Sequence, residues 1–207
     1  MVAQRLYENW NFDLSYWQEK LRHLEWVSAY RMGIIQENIE LNRKSALDMG
    51  SGPQFTSDLL EKAGARVTTL DKYAPCTLSF DINDDFTQCL PGSSFDLIVV
   101  GAVIRYVENK PLFFNRLHQI LSPTGVIFVD EFVHSPINDI FLDYMSLFGA
   151  MEQWPTENFT PFEDLSNLIS ATSGLSIKEI YSCWPAFFLK GKIGFPTWYS
   201  LIIEKNS

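Results

Sequence analysis

Between residues 45 and 52 the chain reads Ser45-Ala46-Leu47-Asp48-Met49-Gly50-Ser51-Gly52, an apolar run that ends in an acid and passes into two glycines set two apart. A helical pattern opens at about Thr56, so the stretch is a strand, a tight turn and a helix. Glycine takes positive φ and lets the backbone come close to a ligand, and the free N–H groups of a helix start receive a ligand's polar end. A second apolar run, Arg66-Val67-Thr68-Thr69-Leu70, ends in Asp71, where a carboxylate can take both hydroxyls of a ribose. The two stretches together point to an α/β chain that holds a nucleoside-containing ligand at the carboxyl ends of adjacent parallel strands.

Asp48-x-Gly50-x-Gly52, Asp71 after the next strand, Phe80-Asp81-Ile82 after a third, and Phe95-Asp96-Leu97-Ile98-Val99-Val100 as a fourth form an ordered set. In order, spacing and residue type this set resembles a class I S-adenosylmethionine-dependent methyltransferase, over about Ser45 to Phe132. The resemblance implies a Rossmann-like, doubly wound, mostly parallel seven-stranded sheet with an antiparallel C-terminal strand pair and extra N-terminal helices. It implies S-adenosylmethionine as cofactor and S-adenosylhomocysteine as product, held by Asp48, Gly50, Ser51, Gly52, Asp71, Lys72, Gly101 and Ala102. Asp81 would accept a hydrogen bond from the adenine amino group, with Asp84 and Asp85 as spare candidates, and Ile82 would pack on the adenine face. One position departs from the family, which usually has a third glycine where this chain has Gln54. Its amide either donates to the methionine end of the ligand or crowds the pocket. A nicotinamide site would share Asp71, but Gly50-Ser51-Gly52-Pro53-Gln54-Phe55 lacks the third glycine of that pattern.

With 207 residues, 46% hydrophobic and 20% charged, the sequence suits one α/β domain with a full core. The expected division is an N-terminal helical lid over 1–44, a cofactor-binding core over 45–134, and substrate-side helices with a C-terminal hairpin over 135–207. A net charge of −9 without a basic stripe argues against nucleic acid as partner. Cys76, Cys89 and Cys183 are odd in number, far apart and without metal-ligand spacing, which suits reduced thiols in a cytoplasmic protein. No apolar run reaches the roughly 18 residues of a membrane span. A monomer or homodimer acting on a small molecule is expected.

The first 44 residues are rich in aromatics, and from Asp13, a candidate N-cap, Trp17, Leu21, Leu24, Val27, Tyr30 and Ile34 recur at helical spacing. A third strand is expected over Cys76 to Phe80. Pro91-Gly92-Ser93-Ser94 marks a turn before the apolar strand Phe95 to Val100, and a short helix over the pocket is expected around Ile104 to Val107. Asn109 and Pro111 open a further helix, which Ser122-Pro123-Thr124-Gly125 ends. Val126 to Val129 is the fifth strand, and a helix is expected over about Ile137 to Met151. Thr160 caps another helix that Gly174 closes, and Leu175 to Cys183 and Thr197 to Glu204 form the last two strands.

Methyl transfer from a sulfonium is an in-line displacement, so the protein aligns nucleophile, methyl carbon and sulfur and excludes water. A base is needed only for a poor nucleophile such as a phenol or a protonated amine. His134, at a carboxyl-end loop, and Glu131 are candidate bases, and Tyr106 is a candidate to orient the substrate. Arg105 and Tyr106 stand where the family more often has an acid and a histidine. Tyr7, Trp10, Trp17, Arg105, Met145, Phe148, Trp154 and Trp184 are candidate substrate contacts, because apolar and aromatic walls are typical of small-molecule sites. The expected function is methyl transfer to an oxygen or nitrogen of a small, fairly apolar, ring-containing metabolite. Two alternatives stand beside it: use of the cofactor's positive charge for a cyclisation or elimination, and a non-catalytic partner subunit, for which Gln54 is the motive.

Overall fold

The computed structural model describes residues 13–22, 25–90, 92, 94–132, 160–172, 174–184, 187–193 and 196–206. Asp13 caps the first helix, accepting from Tyr16 N at 2.9 Å and Ser15 Oγ at 2.6 Å. The expected single N-terminal helix is two, α1 (Leu14–Lys20) and α2 (Glu25–Asn38). There follow β1 (Ser45–Met49), α3 (Phe55–Lys62), β2 (Arg66–Asp71) and β3 (Leu78–Ser79). The 3-10 turn Phe86–Cys89 leads to β4 (Phe95–Gly101), and the 3-10 turn Ile104–Tyr106 to α4 (Lys110–Ile120), capped by the Asn109 side chain. The remaining elements are β5 (Leu121–Phe132), α5 (Phe162–Ala171), β6 (Leu175–Trp184), β7 (Phe187–Lys190) and β8 (Trp198–Lys205).

All eight strands form one sheet in the order β3-β2-β1-β4-β5-β8-β6-β7. The first five run parallel and the last three antiparallel. The Rossmann-like plan is the expected one, with β7 as an eighth strand where the sequence, broken by Pro185 and Gly191, suggests only a connection. The helix opened by Asn109 ends at Ile120, just before Ser122-Pro123-Thr124-Gly125 as expected, and that stretch lies inside β5, where the pairing with β4 slips between Phe95↔Leu121 and Leu97↔Val126. The third strand is reduced to two residues.

Strands β1, β4 and β5 are apolar on both faces, as a sheet covered on both sides requires. Leu47, Met49, Ile98, Val100, Ile127 and Val129 face α4, α5 and the Phe86–Cys89 turn. Ala46, Leu97, Val99, Val126 and Phe128 face α2 and α3. This alternation also sorts the polar residues at the strand ends, so Asp48 and Asp130 fall on the α2 side and Glu131 on the other. Strand order reverses between β1 and β4, which opens the crevice where open α/β sheets bind ligands.

Leu47 lies fully buried in β1 between both neighbours, so Leu47→Ala should cost about 2–5 kcal/mol in urea unfolding. Leu189→Ala, at an exposed residue of β7, should stay within about 0.5 kcal/mol of the parent.

Candidate cofactor and substrate site

Gly50 begins the loop at the crevice with φ 67°, and its N–H donates to Leu70 O at 2.7 Å. A Cβ here would run into Val103 Cγ2, so the position demands glycine twice over, by φ and by space. Gly52, at φ 47°, donates its N–H to Asp71 Oδ2 at 3.0 Å. Asp71 Oδ1 accepts from Tyr73 N at 2.8 Å and Ala74 N at 2.9 Å. The acid at the end of β2 thereby fixes both the glycine loop and its own following turn. Ser51 is buried at 7% exposure, and its Oγ has no partner among the described residues.

Gln54 occupies the left-handed region, φ 62° and ψ 17°, immediately before α3. Such a backbone costs about 1–2 kcal/mol for a residue with a Cβ, and Gln54 carries that strain. The side-chain Nε2 donates to the carbonyl of Pro75, in the loop after β2. On the other side of the loop, Gln18 Nε2 of α1 donates to Pro53 O at 3.2 Å.

Arg31, which the sequence reading does not single out, enters this site from α2. Its Nε donates to Asp130 Oδ2 at 2.6 Å and its Nη2 to Asp130 Oδ1 at 3.2 Å. Nη1 lies 3.4 Å from Thr56 Oγ1, which itself donates to Ser28 Oγ at 3.0 Å. The guanidinium lies against Gly101, where a Cβ would sit 2.5 Å from Arg31 Cζ. Burial alone would lower the Arg31 pKa, and the Asp130 carboxylate more than reverses this, so it is raised. Asp130 Oδ1 also accepts the Ala102 N–H at 2.7 Å and holds that residue at φ 57°. The available signal was spacing: Ser28, Arg31, Met32 and Ile35 form one helical stripe, and three of the four are buried apolar or small residues.

Asp48, next to the Arg31–Asp130 pair, accepts from Ser57 Oγ at 2.6 Å. Burial, aided by the nearby Asp71 and Asp130 and opposed by Ser57 and Arg31, pushes its carboxyl up to about 6. Past the ends of β2 and β3, Lys72 Nζ meets Asp81 Oδ2 at 2.8 Å, Asn83 N donates to Asp81 Oδ1 at 3.0 Å, and Ile82 packs against the core. Burial opposes ionisation of Asp81, and Lys72 with the Asn83 N–H outweighs it, so its pKa is lowered. Asp85, one of the spare candidates, is taken up in capping the Phe86–Cys89 turn.

On the opposite face, Arg105 and Glu131 form a fully buried pair, Nη2 to Oε1 at 2.5 Å. Glu131 also accepts from Arg105 N at 3.1 Å and Phe132 N at 2.9 Å. Burial raises the Glu131 pKa, with Arg105 pulling against it. The guanidinium sits 5.9 Å from the Tyr106 ring centre and 5.2 Å from that of Phe132. Trp184 closes β6 and pairs with Phe187 of β7. His134, Tyr7, Trp10, Met145, Phe148 and Trp154 lie outside the described residues, as does the side chain of Trp17. Residues 36–42 with Ala63 bound a depression at the amino end of β1, opposite the glycine loop, and it holds none of these groups.

A parallel sheet with a glycine loop at the β1/β4 switch, an acid after β2 and a cation facing Gly101 defines a nucleotide-type α/β ligand-binding protein. Residues 23–173 match the family model described as "Methyltransferase domain". This chain therefore belongs to the class I S-adenosylmethionine-dependent methyltransferase family.

Among solved structures, a TehB-like S-adenosylmethionine-dependent methyltransferase from Corynebacterium glutamicum superposes with a TM-score of 0.63 at 16% identity, covering 93% of this chain and 98% of that one. Magnesium protoporphyrin IX methyltransferase from Synechocystis, with bound SAH, gives 0.58 at 13% identity over 99% and 93%. Among curated relatives, phosphoethanolamine N-methyltransferase 1 of Arabidopsis thaliana is 30% identical over 30% of this chain, and the match spans 12% of its length. The ubiquinone biosynthesis O-methyltransferase of Pseudomonas paraeruginosa is 24% identical over 79% of this chain and 78% of its own length. The residues present fit the family's cofactor: Ser51 Oγ is a buried polar atom with no partner among the described residues, and an acid and a cation stand on opposite sides of the glycine loop.

Because Asp48 has a folded pKa near 6 against about 3.8 unfolded, the fold holds its proton more tightly than the unfolded chain. Its contribution to stability therefore falls as pH rises from about 4 to 6, by on the order of 2–3 kcal/mol, and is constant above that. Asp48→Asn should gain relative to the parent across that window, as read from the difference of their thermal midpoints at pH 4 and pH 7.

Proposed function

We propose that this chain transfers a methyl group from S-adenosylmethionine to an oxygen or nitrogen of a small, fairly apolar, ring-containing acceptor. The observation that carries the reading is the polarity of the crevice. Asp71 and Asp81 stand at one end and Arg31 at the other, with the Gly50–Gly52 loop between them. That is the charge pattern of a ligand with a nucleoside at one end and an amino acid at the other. Asp71 takes ribose hydroxyls, Asp81 and Ile82 receive the adenine, and the two Arg31 N–H groups not used by Asp130 or Thr56 take the α-carboxylate. Asp130 keeps the guanidinium aimed through its two-point contact.

When bound, the sulfonium supplies an activated methyl. The chain's own residues position the acceptor and exclude water. Tyr106, on the 3-10 turn after β4, and Phe132, at the end of β5, bound the acceptor side, and Trp184 lines its outer edge. Tyr7, Trp10, Trp17, Met145, Phe148 and Trp154 are assigned as further acceptor contacts on their residue type alone. With three hydrogen bonds on its carboxylate, Glu131 positions Arg105 and the Tyr106 turn, which leaves proton removal to His134. The acceptor atom is drawn from the relatives, one named for O-methylation in ubiquinone biosynthesis and another for N-methylation of phosphoethanolamine.

Calorimetric titration should show S-adenosylhomocysteine binding in the parent, lost in Asp71→Ala, and no binding of a nicotinamide dinucleotide. 5′-Methylthioadenosine, which lacks the amino-acid end, should bind more weakly, and Arg31→Lys should narrow that gap. Labelled methyl should then appear in the small-molecule fraction of a cell extract; label in protein or RNA alone would refute the acceptor class.

A further inference from the structure

The family's third glycine is replaced by a residue whose side chain does not enter the methionine end of the crevice. Gln54 Nε2 is taken by the carbonyl of Pro75, four residues beyond Asp71. Arg31, which marks the methionine end, lies across the crevice against Gly101. The glycine loop and the loop after β2 are therefore joined twice, by Gly52 N–H to Asp71 and by Gln54 to Pro75. These two loops are the walls of the nucleoside slot. The Gly52–Asp71 contact lies at its base, where the ribose is read. The Gln54–Pro75 contact comes from a longer side chain to a residue further along the turn, and it spans the slot's outer rim.

We infer that Gln54 is a retaining residue for the cofactor: its amide straps the outer rim of the nucleoside slot, so that the nucleoside leaves only after the Gln54–Pro75 hydrogen bond opens. The inference rests on the cofactor reading given above. It reverses the effect expected of a bulky residue at a glycine position, because the side chain is drawn into a bridge and holds the ligand in. Gln18, bound to Pro53 O from α1, steadies the same loop from the other side. A shorter residue cannot serve. Asparagine accepts the left-handed backbone but falls one methylene short of Pro75, and glycine has no amide at all.

Stopped-flow measurement of S-adenosylhomocysteine association and dissociation in the full chain, for the parent, Gln54→Gly and Gln54→Asn, tests this. Both variants fit φ 62°, so their thermal midpoints should be no lower than the parent's. Both should release the ligand about 3- to 10-fold faster, the worth of one net hydrogen bond. Association should quicken as well. Parent binding with unchanged release in both variants would overturn the inference alone, and slower release in Gln54→Gly would replace it with the crowding reading. Failure of the parent to bind S-adenosylhomocysteine would overturn the cofactor reading and the inference together.

Discussion

A single buried carboxylate, Asp130, joins three parts of the molecule that have no covalent reason to meet. It receives Arg31 from α2 through two contacts and the Ala102 N–H from the turn after β4, while its own backbone continues β5. Burying a charged pair is costly unless its geometry is good and the remaining hydrogen-bonding groups are satisfied. Here Thr56, Ser28 and Ala102 complete the set. Helix α2 is thus tied to the crevice by a charge as well as by apolar packing, and the left-handed conformation of Ala102 beside Gly101 depends on the same carboxylate.

The next residue repeats the device on the other side of the sheet. Successive side chains of a strand point to opposite faces, so Asp130 captures Arg31 beneath α2 while Glu131 captures Arg105 beneath the 3-10 turn. Each pair anchors one bank of the crevice, the first beside Gly101 and Ala102 and the second beside Tyr106 and Phe132. The motif glycines shape the floor between them.

Much of this was legible in sequence where the information is local. Glycines two apart after an apolar run, an acid at each strand end and the Asn109–Pro111 helix start carry their meaning within a few residues, and the fold followed from them. Arg31 and Asp130 were not legible, because each is ordinary alone and their relation spans 99 positions. The stripe that runs through Tyr30 and Ile34 does pack on the core, Ile34 buried and Tyr30 against Phe188 and Trp198, but it leaves out Ser28, Met32 and Ile35, which are buried as well. Gln54 stood out as a departure, but whether it faced the methionine or the rim depended on Pro75, whose loop no local pattern fixes. β7 was hidden because four residues between a proline and a glycine carry little periodicity.

Strand order also bears on how the sheet can be completed. β8 lies between β5 and β6, so residues 198–205 fill an interior place in a sheet whose five parallel strands are already present by residue 132. Until that segment is available, the apolar β5 presents an open edge, with the N–H and C=O groups that face β8 unpaired along Val126 to Phe132. During synthesis the half that carries the crevice therefore waits on a distant piece of chain, with a long loop to close first. The span between them holds α5, which has to dock on the sheet as the last strands arrive. In such an order of assembly the parallel half is laid down early, and the long edge of β5 is covered only when β8 arrives.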